Sequence, residues 1–150
     1  MARFWDWALE VYARPGVAEA CLNLQDDHHQ SVPFLLWAAW AAIEGRALGE
    51  DALAEGVAQA RSWEALAVGP LRQVRRALKP SMPGIDDQAR DALRAHVKAA
   101  ELDAERTLME ALERLTPPQA GPSAGLERAW QAWGARAPQT ALLDLMARLA

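Results

Sequence analysis

Strand-forming residues are scarce in this chain of 150 residues, where only 12 are Val, Ile or Thr. Pleated strands favour such β-branched side chains, so a β-rich fold is excluded. Cysteine occurs once, at Cys21. That excludes an intramolecular disulfide and a cysteine-based zinc site, and it fits a reducing, cytoplasmic setting. The longest apolar run, Val32 to Ile43, has 12 residues, where a membrane span needs about 20. The first residues lack the basic stretch and long apolar segment of a signal peptide, so none is expected. Positive charge is not in excess either. Lys and Arg number 16 against 20 Asp and Glu, for a net charge of -4, which argues against a generic nucleic-acid coat.

What is abundant is alanine, then leucine, alongside 7 tryptophans. Ala and Leu have high helix propensity, and the length is that of one ordinary domain. The expectation is an all-α, single-domain helical bundle of about five or six helices with a short helical C-terminal extension. Proline and glycine punctuation divides it into a helical core over 1–115, a Pro/Gly-rich linker over 116–125 and an extension over 126–150.

The apolar spacing predicts helices over Phe4–Ala13, with Phe4, Trp5, Ala8, Leu9 and Tyr12 on one stripe, and from Pro15 to about His28. Ser31 is placed to cap a third helix, and Pro33 suits its first turn. That helix is apolar all round and should be central. A fourth runs from Glu50 to Ala67, broken near Ser62, and a short fifth from Leu71 to Lys79. Asp86 or Asp87 caps the longest helix, which reaches about Leu115. Its stripe runs through Ile85, Ala89, Leu93, Val97, Ala100, Ala104 and Leu108, with Arg90, Arg94, Lys98, Glu101, Glu105 and Glu113 on a solvated side. Beyond the linker, helical patterns cover Leu126–Gly134 and Pro138–Leu149. The expected core includes Trp5, Leu9, Cys21, Leu24, Leu36, Trp40, Val74, Leu93, Val97 and Leu108.

Arg72, Arg75, Arg76 and Lys79 recur at i, i+3, i+4 and i+7, so they share about 100° of a helix surface. Residues 70–80 carry four basic and no acidic residues. Such a stripe suits phosphate, an anionic membrane surface or an acidic partner. The bland alternative is a face paired with the chain's own carboxylates. If Glu64 or Glu101 neutralise it, anion binding loses its basis. Asp26-Asp27-His28-His29 places metal-capable groups side by side. Helix neighbours diverge by about 100°, however, so they do not converge on one ion, and no metal or cofactor is expected. Most of the tryptophans serve as volume filler against small neighbours. Trp130 and Trp133, on a short segment past the linker, are the better candidates for an exposed partner surface. No phosphate-binding glycine loop and no G-x-S-x-G elbow occurs.

Phe4-Trp5 with Leu9 and Tyr12, then Pro15-Gly16-Val17, Ala20-Cys21-Leu22, Leu24-Gln25-Asp26, Val32 and Leu35-Leu36 together resemble the opening of the proteobacterial domain-of-unknown-function family 2390. The resemblance continues at Trp63, Pro70-Leu71-Arg72, Arg75-Arg76, Leu78-Lys79, Glu101-Leu102 and Glu105-Arg106. It implies a small helical bacterial protein with no established function. The family's pattern has a Gly, an Asp and an Asn where this chain has His29, Ser31 and Pro33. His28 and His29 fall on positions the pattern does not require, whereas the basic stripe belongs to it.

The favoured function is therefore a non-catalytic protein–protein interaction or adaptor module. Its candidate surface is Arg72, Arg75, Arg76 and Lys79, or Trp130 and Trp133. The alternative is an anion binder, for nucleic acid or anionic lipid, through the helix over 71–79. An enzyme or cofactor carrier is the least favoured class.

Overall fold

A computed structural model describes residues 3–121, 125–134 and 139–150. Helix α3 (Val32–Ile43) explains the rest of the arrangement. Ten of its 12 residues are buried, so it must be wrapped on every side. Ser31 caps it, its Oγ accepting from the Phe34 amide at 3.4 Å, with Pro33 in the first turn. Trp37 and Trp40 are fully buried. Trp40 stacks on Phe4 of α1 (Phe4–Tyr12) with ring centroids 5.4 Å apart. Trp37 is seated by Gly56 of α4 (Glu50–Trp63), where an added Cβ would lie 2.3 Å from the indole.

In α1 the buried residues are Phe4, Trp7, Ala8 and Val11. The helix is thus turned from the expected stripe. Trp5 is half-buried and Leu9 is 50% exposed. Both stripes are apolar, and packing against α3 brings the one through Trp7 to the core. Helix α2 (Val17–Asp26) buries Val17, Ala20, Cys21 and Leu24.

The gap expected between the fourth helix, ending at Ala67, and the fifth, starting at Leu71, is instead one widened turn. A π-helical segment, Glu64–Val68, joins α4 to α5 (Gly69–Ala77) without interruption. The Gly69 amide reaches back to the Glu64 carbonyl. A Cβ at Gly69 would sit 2.8 Å from that carbonyl oxygen, so the widened turn needs glycine. Pro70, which lacks an N–H, follows where the ladder is already re-spaced. Helix α6 (Asp87–Leu115) is capped by Asp86, which accepts from the Ala89 amide at 2.8 Å. At 29 residues it is about 44 Å long.

The expected linker is pinned where it is described. The Ala47 amide donates to Gln119, the Gly121 amide donates to Gly45, and Trp37 Nε1 donates to Thr116 Oγ1 at 2.8 Å. Residues 122–124 of that segment and Pro138, the expected helix start, lie outside the described residues. Helix α7 (Gly125–Trp133) packs on α3, and α8 (Gln139–Leu149) packs on α2. Leu126, Ala129, Leu142, Leu145 and Leu149 join the same buried cluster as Phe34 and Trp40. With α4, the π turn and α5 counted as one rod, the described residues form seven helical rods with no strand, rather than five or six and an extension.

The largest departure lies in α5 and the start of α6. Helix α5 has no buried residue, and α6 has none before Glu101. Val74 and Leu93, expected in the core, are 46% and 52% exposed, and Val97 is half-buried. The two helices pack on each other as a hairpin that the rest of the bundle does not cover. Periodicity says which residues share a face, but not what lies over it.

Candidate functional site

The basic stripe folds inward at its α6 side. Arg72 Nε donates to Glu101 Oε1 at 3.1 Å, Nη1 to Glu64 at 2.9 Å and Nη2 to Gln25 Oε1 at 3.1 Å, with Glu105 3.5 Å away. Arg75 Nε donates to the other oxygen of Glu101. A single carboxylate, only 6% exposed as a residue, therefore bridges two guanidiniums. Glu101 and Glu105 were expected on a solvated face. They turn inward because the arginines of α5 meet that side of α6. Arg76 reaches α2 instead and pairs with Asp26. Lys79 is exposed, one turn beyond the cluster.

Burial pushes the Glu105 carboxyl up to about 7, with Arg72 pulling against the shift and Glu101 adding to it. The same enclosure raises the Tyr12 hydroxyl to about 12. Hydrogen bonding to Glu101 raises the Arg75 guanidinium further. Cys21, buried on α2, is pushed up to about 12 by desolvation, which makes it a poor nucleophile.

Beside this cluster opens a cleft of about 260 Å³. Its walls are Asp26 and His29 from the end of α2, Gln30 and Ser31 before α3, Glu64, Arg72 and Arg76 from the long rod, and Trp133 from α7. Two surfaces that looked separate in the sequence, the arginines and the tryptophan pair, meet here through Arg72, Arg76 and Trp133. Trp133 is half-buried and held on three sides. Its Nε1 donates to the His29 carbonyl at 3.0 Å, Phe34 lies 5.5 Å away, and the Arg61 guanidinium sits over the ring at 5.0 Å. Trp130 is half-buried against the core, its Nε1 enclosed without a partner, and does not line the cleft. Neither tryptophan is the open surface that was expected.

His29 has φ 53, in the left-handed region that disfavours residues with a Cβ. The turn aims the next residue, Gln30, inward. Gln30 is 4% exposed, and its Oε1 has no hydrogen-bond partner, although the atom is buried and its residue lines the cleft. An unpaired buried acceptor costs about 1–3 kcal/mol. Sequence reasoning missed Gln30, since a lone glutamine in a loop carries no pattern.

The four metal-capable residues at the end of α2 are separated in use. Asp26 pairs with Arg76, and Asp27 accepts from Asn23 at 2.8 Å. Among the described residues no three His, Cys, Asp or Glu side chains are grouped to hold an ion. Among the same residues no helix is long and apolar enough to cross a membrane.

A family model described as "Protein of unknown function (DUF2390)" matches residues 3–112. The chain belongs to this family. No curated protein and no solved structure matches it. The DUF2390 span takes in the whole ion-pair cluster, from Tyr12 and Gln25 through Glu64, Arg72 and Arg75 to Glu101 and Glu105. Trp133, the far wall of the cleft, lies beyond it.

Proposed function

We propose that this DUF2390 protein is a non-catalytic protein–protein interaction or adaptor module, with the cleft between Gln30, Arg76 and Trp133 as its contact site. The observation that carries this reading is the Trp133 indole, fixed by His29, Phe34 and Arg61 as one wall of the cleft. A partner segment entering the cleft packs on that pre-organised surface without first ordering it. The charges of the cleft are already paired, Arg72 with Glu64 and Arg76 with Asp26. The cleft therefore favours an uncharged backbone stretch over a phosphate group. Of the sequence candidates, Arg72, Arg76 and Trp133 form this site, and Arg75 supports it through Glu101. Lys79 and Trp130 stand outside it.

The anion-binding alternative has less support, because Glu64, Glu101 and Asp26 take up three of the four basic side chains.

The test is affinity capture from cell lysate with the tagged full chain, quantified against Arg76→Glu and Trp133→Ala. Circular dichroism on each variant checks folding. The reading expects one captured protein to fall at least about tenfold in both variants. A captured set unchanged by either substitution overturns it.

A further inference from the structure

A second cavity, separate from the cleft, opens where α1, α2, α3 and α6 meet. It measures about 120 Å³. Buried Pro33 and Leu36 of α3 and Met109 of α6 line it. Leu9 and Tyr12 of α1 and Leu102 of α6 also line it, and they are 50%, 38% and 49% exposed. A single exposed leucine needs no explanation. Several exposed apolar side chains around one concave, apolar site mark a place for a small molecule. An apolar cavity of about 150 Å³ holds a benzene ring, so this one takes a branched alkyl group of about four or five carbons.

Among the residues that line the cavity, Glu105 is the one with a charged side chain. Its carboxyl is short of partners. Arg72 Nη2 lies 3.5 Å away, but each of the three Arg72 nitrogens already donates elsewhere, to Glu101, Glu64 and Gln25. The lining carboxamide of Gln25 is likewise taken up, by Arg72 and Asp26. With Glu105 ionised, Arg72 and Arg75 face Glu64, Glu101 and Glu105, so one negative charge is left over. Of those acids only Glu105 lines the cavity. The aromatic rings of Trp5 and Tyr12 stand in the same wall, and ring faces attract ammonium groups. We propose that this cavity binds a small primary amine, with its branched alkyl body in the apolar pocket and its ammonium group on Glu105. An anion would meet the carboxylate, and a neutral head group would leave that charge unpaired.

Binding of the amine depends on the ionised form of Glu105, whose carboxyl burial raises to about 7. Arg72 and Arg75 of α5 favour that form, while Glu101 of α6 and Glu64 of the π turn oppose it. Tyr12 of α1, its hydroxyl raised to about 12, stays neutral. Asp26 of α2 is held by Arg76, and Arg106, which lies over Trp5, is held by Glu110. Affinity for an ammonium group therefore rises with pH through about 7. A neutral ligand of the same shape gains nothing from that change.

NMR titration of the full chain with isoamylamine, isoamyl alcohol and isocaproate, which share one alkyl body, tests this. The resonances of Trp5, Leu9 and Leu102 report on the cavity, and the Trp133 indole reports on the cleft. At a pH of about 8 the amine should bind with a Kd on the order of 1 mM or below. It should bind about tenfold more tightly than the alcohol. At a pH of about 5.5 most of that advantage should be gone. Glu105→Gln, its fold checked by circular dichroism, should lose the advantage at both pH values and keep alcohol binding within about twofold of the parent. An amine that binds no better than the alcohol at the higher pH overturns the proposal. So does an advantage that Glu105→Gln retains, an acid that binds more tightly than the amine, or shifts centred on Trp133. The cleft variant Trp133→Ala should bind the amine as the parent does, so this result and the cleft reading can fail separately.

Discussion

The first half of α6, Asp87–Ala100, contains no buried side chain, whereas the second half, Glu101–Leu115, contains five. The apolar spacing is the same in both halves. What changes is the cover. The C-terminal half lies against α1, α3 and α4, so Ala104, Leu108, Met109 and Leu112 enter the core. The N-terminal half has only α5. Where the cover ends, the helix carries its one buried charge, Glu101, held by Arg72 and Arg75. Amphipathic periodicity is thus a statement about one helix, while burial depends on how many neighbours that helix has.

The contrast is broken most severely by cutting both halves alike. Leu112→Ala should cost about 2–5 kcal/mol in urea denaturation, because Leu112 is fully buried. Leu93→Ala, measured at low protein concentration, should cost less than about 0.5 kcal/mol. Equal losses would mean that the N-terminal half is covered in the single chain.

The boundary itself is probed next. Glu101→Gln removes the carboxylate shared by two arginines, which have 12% and 21% of their side chains exposed. Breaking such a pair from one side should cost about 3 kcal/mol. A loss below about 0.5 kcal/mol, the scale of an exposed ion pair, would reduce the cluster to a surface network.

Acid–base behaviour gives a smaller effect of opposite sense. The Glu105 carboxyl is raised in the folded chain from 4.5 to about 7, chiefly by burial. Between these values the folded state binds more protons than the unfolded one. Glu105 therefore contributes stability that is full below about 4.5 and is lost as the pH rises through about 7. Over that window the decline should be on the order of 1–3 kcal/mol. Glu105→Gln should flatten it and leave the protein more stable than the parent at pH 8. Parallel curves for the two proteins would place the titration elsewhere.

The helical class was legible because Ala and Leu dominate and Val, Ile and Thr are few. Local rules worked where the interaction is local: Ser31 and Asp86 cap as their positions suggest, and Val32–Ile43 is central because it has no polar side. The choice between two apolar stripes on α1, one through Trp7 and one through Leu9, was not legible. Only packing against α3 decides between them. The Arg72–Lys79 stripe was visible as a spacing, and Glu64 and Glu101 as its nearest acids. That those acids close on it depends on the π turn at Glu64–Val68, which sets the direction of α5 and has only the Gly69-Pro70 pair as its mark. The cleft was invisible as a unit. It is assembled from the end of α2, the long rod and α7, and at the His29–Trp133 contact it joins positions 104 apart in the chain.

Hydrogen exchange along α6 tests the central claim, that one stripe is covered in its second half and open in its first. At about 5 µM the amides of residues 88–100 should exchange on the order of 100-fold faster than those of 104–112, since only the latter open with the core. Uniform protection along the whole helix would contradict the account.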